Sequence, residues 1–270
     1  VLTHGLHYAS CVFEGERSYN GEIFKLREHT DRLLKSARIL GFDIPYSAGE
    51  IDSACNEVCK VNGIVDGYIR PIAWRGSEMM GVSAQQNTIH LAIAAWPWPS
   101  YFSPEARMKG IRLKTSDWRR PAPETAPTDS KAAGLYMICT MSKHAAEAEG
   151  YDDALMLDWR GQIAEATGAN IFLVFGDGKL HTPTSDCFLN GITRQTVIGL
   201  AEARGIEVIE RTIMPEELTN ATEVFLTGTA AEVTPVGEID DKRFTVGDIS
   251  RWMMDDYDKA VGKTSGEAAA

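Results

Sequence analysis

Apolar positions along the chain recur with two periods, and the switches between them mark the elements. Strand-like runs at Tyr8–Tyr19 and Gly21–Leu26 flank Asn20-Gly21, a strong hairpin signal. Glu28–Leu40 carries Leu33, Leu34, Ala37 and Leu40 on one side, with Gly41 as a stop, and predicts a helix. Ser47-Ala48-Gly49-Glu50 is a capping box that opens a second helix, with Ile51, Ala54, Cys55 and Val58 on one face and an end near Gly63. Gly67–Arg75 and Thr88–Trp96 read as strands. Pro97, Pro99 and Pro104 then break the pattern, since proline cannot donate to a ladder. A second proline-rich stretch spans Arg120–Pro127. Beyond it the chain predicts a helix over Ser130–Gly150, a strand over Asp153–Asp158 and a hairpin of Asn170–Phe175 with Lys179–Thr182. A helix over Ile192–Arg204, strands over Glu207–Ile213 and Glu223–Gly228, and a final helix over Ile249–Val261 complete the order, and the small, polar tail Gly262–Ala270 is expected to fray.

This succession of strands and helices places the chain in the α/β or α+β class. Its 270 residues suit two domains, and the prolines divide them into a small α/β domain over 1–97, a linker over 98–110 and a large domain over 111–270. A net charge of -11 disfavours wholesale binding to nucleic acid or anionic membranes. The five cysteines, Cys11, Cys55, Cys59, Cys139 and Cys187, show no C-x-x-C and no zinc spacing, so free thiols in a reducing cytoplasm are expected. The apolar stretch Leu91–Trp98 is far too short to span a bilayer, and no signal peptide opens the chain. The chain begins Val-Leu-Thr rather than with Met, which points to residues before Val1 in the natural protein.

Several common chemistries lack their motifs. There is no G-x-G-x-x-G after a strand, no phosphate-binding G-x-x-x-x-G-K-[ST] loop, no G-x-S-x-G and no H-x-x-x-H pair, so no metal is expected. What stands out is Pro127-Thr128-Asp129-Ser130-Lys131-Ala132-Ala133-Gly134-Leu135-Tyr136. It delivers one lysine among small residues at an expected helix start, where the dipole favours a neutral, nucleophilic amine. Glu165 sits among small residues beside an apolar strand, where a carboxylate needs a cation or strong hydrogen bonds. Asn190-Gly191-Ile192-Thr193-Arg194 opens a helix, a natural anion site, and Thr227-Gly228-Thr229-Ala230-Ala231-Glu232 is a second Gly/Thr turn.

Taken in order, these segments resemble the fold type IV pyridoxal-phosphate enzymes, and most closely the branched-chain-amino-acid aminotransferases. The resemblance runs from about Thr3 to the last helix and rests on His7-Tyr8 with Val12-Phe13-Glu14-Gly15, Tyr68-Ile69-Arg70-Pro71, Lys131–Tyr136, Gly191–Arg194 and Gly228–Pro235. It implies the D-amino-acid-aminotransferase-like fold, two domains with the cofactor at their interface, the small one lacking its opening strands here. It implies pyridoxal 5'-phosphate as cofactor. Lys131 matches the lysine that joins the cofactor covalently and shuttles the proton, Glu165 the partner of the pyridine nitrogen, and Tyr136 the phenol on the 3-hydroxyl. Arg32 matches the phosphate-binding arginine, with Arg27 as rival; Ile192 and Thr193 would give amides to phosphate, and Thr229 its hydroxyl.

On the substrate side, Tyr68 with the amides of Thr229 and Ala230 would hold the α-carboxylate. Arg70 would engage the side-chain carboxylate of glutamate, aided by Tyr101 and by Tyr8 of a neighbouring subunit. Phe13, Met80, Trp98 and Tyr101 would wall the pocket for a branched side chain. The implied activity is ping-pong transfer of the amino group between leucine, isoleucine or valine and 2-oxoglutarate, by a cytoplasmic homodimer or larger homo-oligomer. Another fold type IV member is the alternative: a D-amino-acid transaminase, an aminodeoxychorismate lyase or an amine transaminase.

Overall fold

The computed structural model describes residues 1–98 and 108–263. The chain divides into two compact units, Val1–Pro99 with Ala126–Met137, and Ser100–Thr125 with Ile138–Ala270.

The first unit is a sheet with two helices on one face. A short helix α1 (His4–Tyr8), not expected from the sequence, precedes the sheet; Thr3 caps it, its hydroxyl accepting from the Leu6 amide. The expected strand over Tyr8–Tyr19 is instead two pieces, β1 (Cys11–Phe13) and β2 (Glu16–Tyr19), broken at Glu14-Gly15. Asn20-Gly21 turns the chain into β3 (Glu22–Ile23), as predicted. Helices α2 (Leu26–Ile39) and α3 (Ala48–Val61) follow, the second opened by the Ser47–Glu50 capping box. The long strands β4 (Gly67–Arg75) and β5 (Ile89–Pro97) pair antiparallel, and β1 and β2 both pair with β4. Alternation on β4 sends Ile69 and Ala73 into a core with Val12, Leu33, Ala37, Ile51 and Cys55. The same period turns Tyr68 and Arg70 to the opposite face.

The second unit is built on β6 (Ile111–Thr115), β7 (Asp153–Leu157), β8 (Ile163–Ala166), β9 (Asn170–Val174), β10 (Leu180–Pro183), β11 (Val208–Arg211), β12 (Glu223–Gly228), β13 (Glu232–Ile239) and β14 (Lys242–Arg243). Pairing runs β9-β12-β13-β6-β7-β8 and returns to β9, so six strands form a closed ring, with β10 and β11 continuing outward from β9. Alternate residues, among them Leu113, Leu155, Ile171, Leu173, Val224, Leu226 and Val236, form one buried cluster. On the other face Phe172 stacks on Phe225 at 5.2 Å. Helices α4 (Met137–Ala148), α5 (Ile192–Ala203) and α6 (Asp248–Ala260) complete the unit.

Two expectations need correction. The helix expected over Ser130–Gly150 begins only at Met137, after a 3-10 turn at Ala133–Tyr136. Lys131 lies ahead of both on extended backbone, where Ala132 bridges to Val12 of β1, so the helix-dipole argument does not apply to it. The sequence reading also passes over β6, although Ile111-Arg112-Leu113-Lys114 alternates apolar and polar residues as a half-buried strand does; Arg112 is spoken for by Glu238, through Nε at 2.7 Å.

Candidate active site

In the first unit the site is assembled on the face of β4 away from the helices. The segment Ala126–Met137 is held to β1 and α2 by backbone and hydroxyl contacts. The Phe13 amide donates to the Lys131 carbonyl (3.2 Å), the Lys131 amide donates to Ser36 Oγ (3.0 Å), and Ser130 Oγ donates to the Ser36 carbonyl (3.0 Å). These bonds fix the backbone on either side of the lysine. Lys131 Nζ donates to Tyr136 Oη at 2.8 Å and lies 5.2 Å from the Phe13 ring centre. Phe13 and Tyr136 meet edge to face at 4.8 Å.

Tyr68 and Arg70, two residues apart on β4, join the same group. Arg70 Nη2 donates to Tyr68 Oη at 2.8 Å, and its guanidinium carbon lies 4.6 Å from the Phe13 ring centre. Arg70 Nε is buried with no hydrogen-bond partner among the described residues. An orphaned buried donor on a guanidinium bonded to a phenol fits a ligand that brings its own negative charge. Gly15 makes room for this arrangement: a Cβ there would fall 1.9 Å from Tyr68 Oη. Trp98 stands 5.4 Å from the Tyr68 ring, and its carbonyl accepts from Arg17 Nη2 at 3.4 Å.

Arg32 is brought in by Glu14. That carboxylate is fully buried and takes Arg32 Nε at 2.7 Å, Arg32 Nη2 at 2.8 Å and His29 Nδ1 at 2.7 Å. Burial alone would raise the Glu14 pKa, but the charge and hydrogen bonds of Arg32 and His29 overcome it and hold the carboxyl well below the usual carboxylate range. Arg27 instead pairs with Asp52 at 2.6 Å and is half exposed. Tyr8 and Met80 are exposed and lie outside the Lys131 cluster; Tyr8 stacks on His4 at 4.6 Å. Tyr101 lies outside the described residues.

In the second unit, Glu165 on β8 is opposite Asn170 on β9. Its Oε2 accepts from Asn170 Nδ2 at 3.1 Å, and its Oε1 lies 3.3 Å from Arg120 Nε. Arg120 Nη1 also donates to Cys139 Sγ at 3.4 Å, and burial, partly offset by Arg120, pushes that thiol up to about 11. Helix α5 starts at Gly191 with no side-chain cap, so the first-turn amides, including those of Ile192 and Thr193, have no capping side chain. Arg194 is not at an anion site: it is fully buried and bonded to Thr182, the Pro183 carbonyl, Asn190 and Glu210. Thr229 and Ala230 lie in the turn between β12 and β13, half-buried, and Thr227 Oγ1 just before it is buried without a partner among the described residues.

The sequence reading missed Glu14, Arg17 and Asn170 as contributors, although Glu14 lies inside a quoted motif and Asn170 opens a predicted strand. Arg17 had a usable signal, since its two-residue period with Phe13 suggests a shared sheet face; in the structure it is the register partner of Tyr68. Glu14 and Asn170 had none, because their partners lie 15 or more residues away or depend on a ring closing.

Chemically, the first unit offers a positioned amine, two phenols and a guanidinium, the equipment for joining a carbonyl and holding a carboxylate. The second offers a carboxylate and uncapped amides, the equipment for a cationic ring atom and a phosphate.

Comparison with known proteins bears on the same chemistry. The family model for amino-transferase class IV matches residues 11–239. A probable branched-chain-amino-acid aminotransferase of Rickettsia felis is 48% identical over 250 residues, covering 92% of this chain and 84% of that protein. The branched-chain-amino-acid aminotransferase of Pseudomonas aeruginosa is 42% identical over 251 residues, covering 92% of this chain and 81% of the relative. Among solved structures, an aminotransferase from Brucella abortus bound to the cofactor pyridoxal phosphate superposes with a TM-score of 0.86 at 31% identity, over 96% of this chain and 91% of that one.

Proposed function

This chain belongs to the amino-transferase class IV family, and from that premise we propose that it is a pyridoxal-phosphate-dependent transaminase moving the amino group between branched-chain L-amino acids and 2-oxoglutarate. The observation that carries the reading is the Lys131 amine, fixed through its backbone, set 2.8 Å from the Tyr136 phenol, and sharing the Phe13 ring with the Arg70 guanidinium.

Pyridoxal phosphate, when bound, supplies an aldehyde that joins amines and a cationic ring that takes up the electron pair left on the α-carbon. Lys131 would be the residue that binds the aldehyde, and its Nζ would be the group that moves the proton at the substrate α-carbon. Tyr136 would hydrogen-bond the 3-hydroxyl oxygen. Glu165 would pair with the ring nitrogen, its direction set by Asn170 and its charge shared with Arg120. Ile192 and Thr193 amides, the Thr229 hydroxyl and Arg32 would hold the phosphate. The fork of Arg32 is already committed to Glu14, which fixes its direction and leaves Nη1 outside that pair.

On the substrate side, Tyr68 and the Thr229 and Ala230 amides would take the α-carboxylate. Arg70 would take the distal carboxylate of glutamate, its unpartnered Nε being a donor at hand. Phe13, Trp98, Met80 and Tyr101 would give the apolar wall a branched side chain needs, and Tyr8 of a second copy would aid Arg70. A homodimer follows from that last assignment. No helix of the described residues is long and apolar enough to cross a membrane. All five cysteines are free and buried, which supports a cytoplasmic setting.

The test is an absorbance spectrum with pyridoxal phosphate, before and after L-leucine and then 2-oxoglutarate. A visible-edge band that bleaches with L-leucine and returns with 2-oxoglutarate supports cofactor, both half-reactions and substrate class together. A band answering only to a D-amino acid or an amine moves the chain to another activity of the family. No band at all sinks the role given to Lys131.

A further inference from the structure

The strand ring of the second unit closes at one residue pair, Glu165 opposite Asn170, across the Thr167-Gly168 turn. Asn170 is 5% exposed, and its amide is used on both sides. Nδ2 donates to Glu165 Oε2 and to the Leu189 carbonyl, each at 3.1 Å, while Oδ1 accepts from the Gly191 amide at 3.1 Å. This orientation is forced. Turned over, the amide would set its oxygen against a carboxylate and a carbonyl and its NH₂ against an N–H.

The partner on the far side is the residue from which α5 starts. Gly191 is its N-cap and brings no capping side chain; Asn170 reaches across from β9 and accepts from the N–H of Gly191 itself. The approach is so close that a Cβ on Gly191 would fall 2.2 Å from Oδ1. One side chain therefore sets both the direction of the Glu165 carboxylate and the place where the first-turn amides of α5 emerge.

We propose that Asn170 is a positioning residue that ties Glu165 to the start of α5, so that the group holding the ring nitrogen and the amides holding the phosphate keep a fixed spacing. The inference rests on the roles given above to Glu165, Ile192 and Thr193. It makes the grip on the two ends of the cofactor interdependent: loosening the helix start loosens the carboxylate, and the reverse.

Two variants of the full chain separate the arms. N170A removes every bond. N170D keeps an acceptor for the Gly191 N–H but loses both donors and sets a second negative group against Glu165. Three readouts apply: amide hydrogen exchange at Gly191 without cofactor, the dissociation constant for pyridoxal phosphate, and kcat against KM for L-leucine. N170A is expected to speed Gly191 exchange and to weaken cofactor binding about tenfold, the worth of one hydrogen bond to a charged group. N170D is expected to keep Gly191 protected and still weaken cofactor binding. Asn170 touches no substrate position, so both variants are expected to lower kcat while KM for L-leucine stays within about twofold; general damage to the fold would move both.

The inference is overturned if N170A leaves Gly191 exchange or the cofactor dissociation constant at the wild-type value, or if KM rises in step with the fall in kcat. A wild-type protein that binds no pyridoxal phosphate would overturn the proposed function instead, and the Gly191 exchange of N170A would still report on the tie itself.

Discussion

Two buried glutamates two residues apart, Glu14 and Glu16, behave in opposite ways. Glu14 is held ionised by Arg32 and His29 against the cost of burial. Its share of stability is present above the unfolded carboxylate range and is lost as pH falls toward its depressed pKa. Glu16 is equally buried, and neither of its oxygens has a hydrogen bond of good geometry; the Cys55 thiol is the donor at hand. Burial first, and then the negative charge of Glu14, push its pKa well above the usual value. The native state therefore keeps a proton that the unfolded chain releases. The contribution of Glu16 is full below the unfolded carboxylate range and declines as pH rises toward its raised pKa. Replacing it with an amide of the same shape removes that decline. Glu16→Gln is expected to raise the melting temperature more at pH 8 than at pH 5, read by calorimetry at both; an equal shift at the two pH values would contradict a neutral Glu16. At the reacting centre, Lys131→Ala is expected to lower kcat by roughly 10²–10⁴-fold or more, the range for losing a positioned proton carrier, without unfolding the chain. Single-turnover absorbance with L-leucine measures it, and a variant as fast as wild type would remove Lys131 from the chemistry.

At the scale of elements, the break between β1 and β2 matters more than either strand. A continuous strand over Tyr8–Tyr19 is what local alternation suggests, because Glu14-Gly15 is too short an interruption to register in a pattern of twelve residues. The structure spends those two residues on a corner that admits Tyr68 Oη at Gly15 and turns Glu14 toward α2. Gly15→Ala is therefore expected to displace Tyr68 and raise KM for L-leucine about tenfold, the cost of one hydrogen bond to a charged group, with little loss of stability. Steady-state kinetics and a melting curve on the same preparation decide it: unchanged KM would show that Tyr68 does not hold substrate. In the second unit, Leu173 is fully buried within the ring cluster, so Leu173→Ala is expected to cost about 2–5 kcal/mol in denaturant unfolding. A cost well under 1 kcal/mol would mean the strand ring tolerates the cavity by closing over it. The segment at Ala126–Met137 illustrates a limit of periodicity. Small residues after Lys131 look like a helix start, but the pairing of Ala132 with Val12 wins, since β1 offers backbone partners that an isolated turn cannot.

At the scale of the whole molecule, the surplus of 38 acidic over 27 basic residues leaves substrate anions to be drawn in locally rather than by the overall field. Arg70 in the first unit, half-buried and with its Nε unpartnered among the described residues, is a cation that can do so. Tyr8, proposed to serve a second copy, is exposed. Sedimentation velocity is expected to give a species of twice the chain mass or a larger multiple. A monomer with full activity toward L-leucine would remove Tyr8 from the substrate site.

The sequence by itself determined the class of chemistry and most of the elements. The hairpin at Asn20-Gly21, the capped helix at Ser47–Glu50 and the strand Gly67–Arg75 are local events, written in adjacent residues and in short periods. So are the lysine with its tyrosine five residues on, and the Tyr68–Arg70 pair on one strand face. What the tertiary structure decided are the partnerships between residues far apart in the chain: Glu14 on Arg32 and His29, Arg120 beside Glu165, and Arg70 over Phe13. The closure of the strand ring at Glu165 and Asn170 belongs there too, because a one-residue shift in strand register would turn either side chain to the opposite face. Propensity and spacing report what a segment prefers, whereas a buried charge finds its partner only when the fold removes water from both.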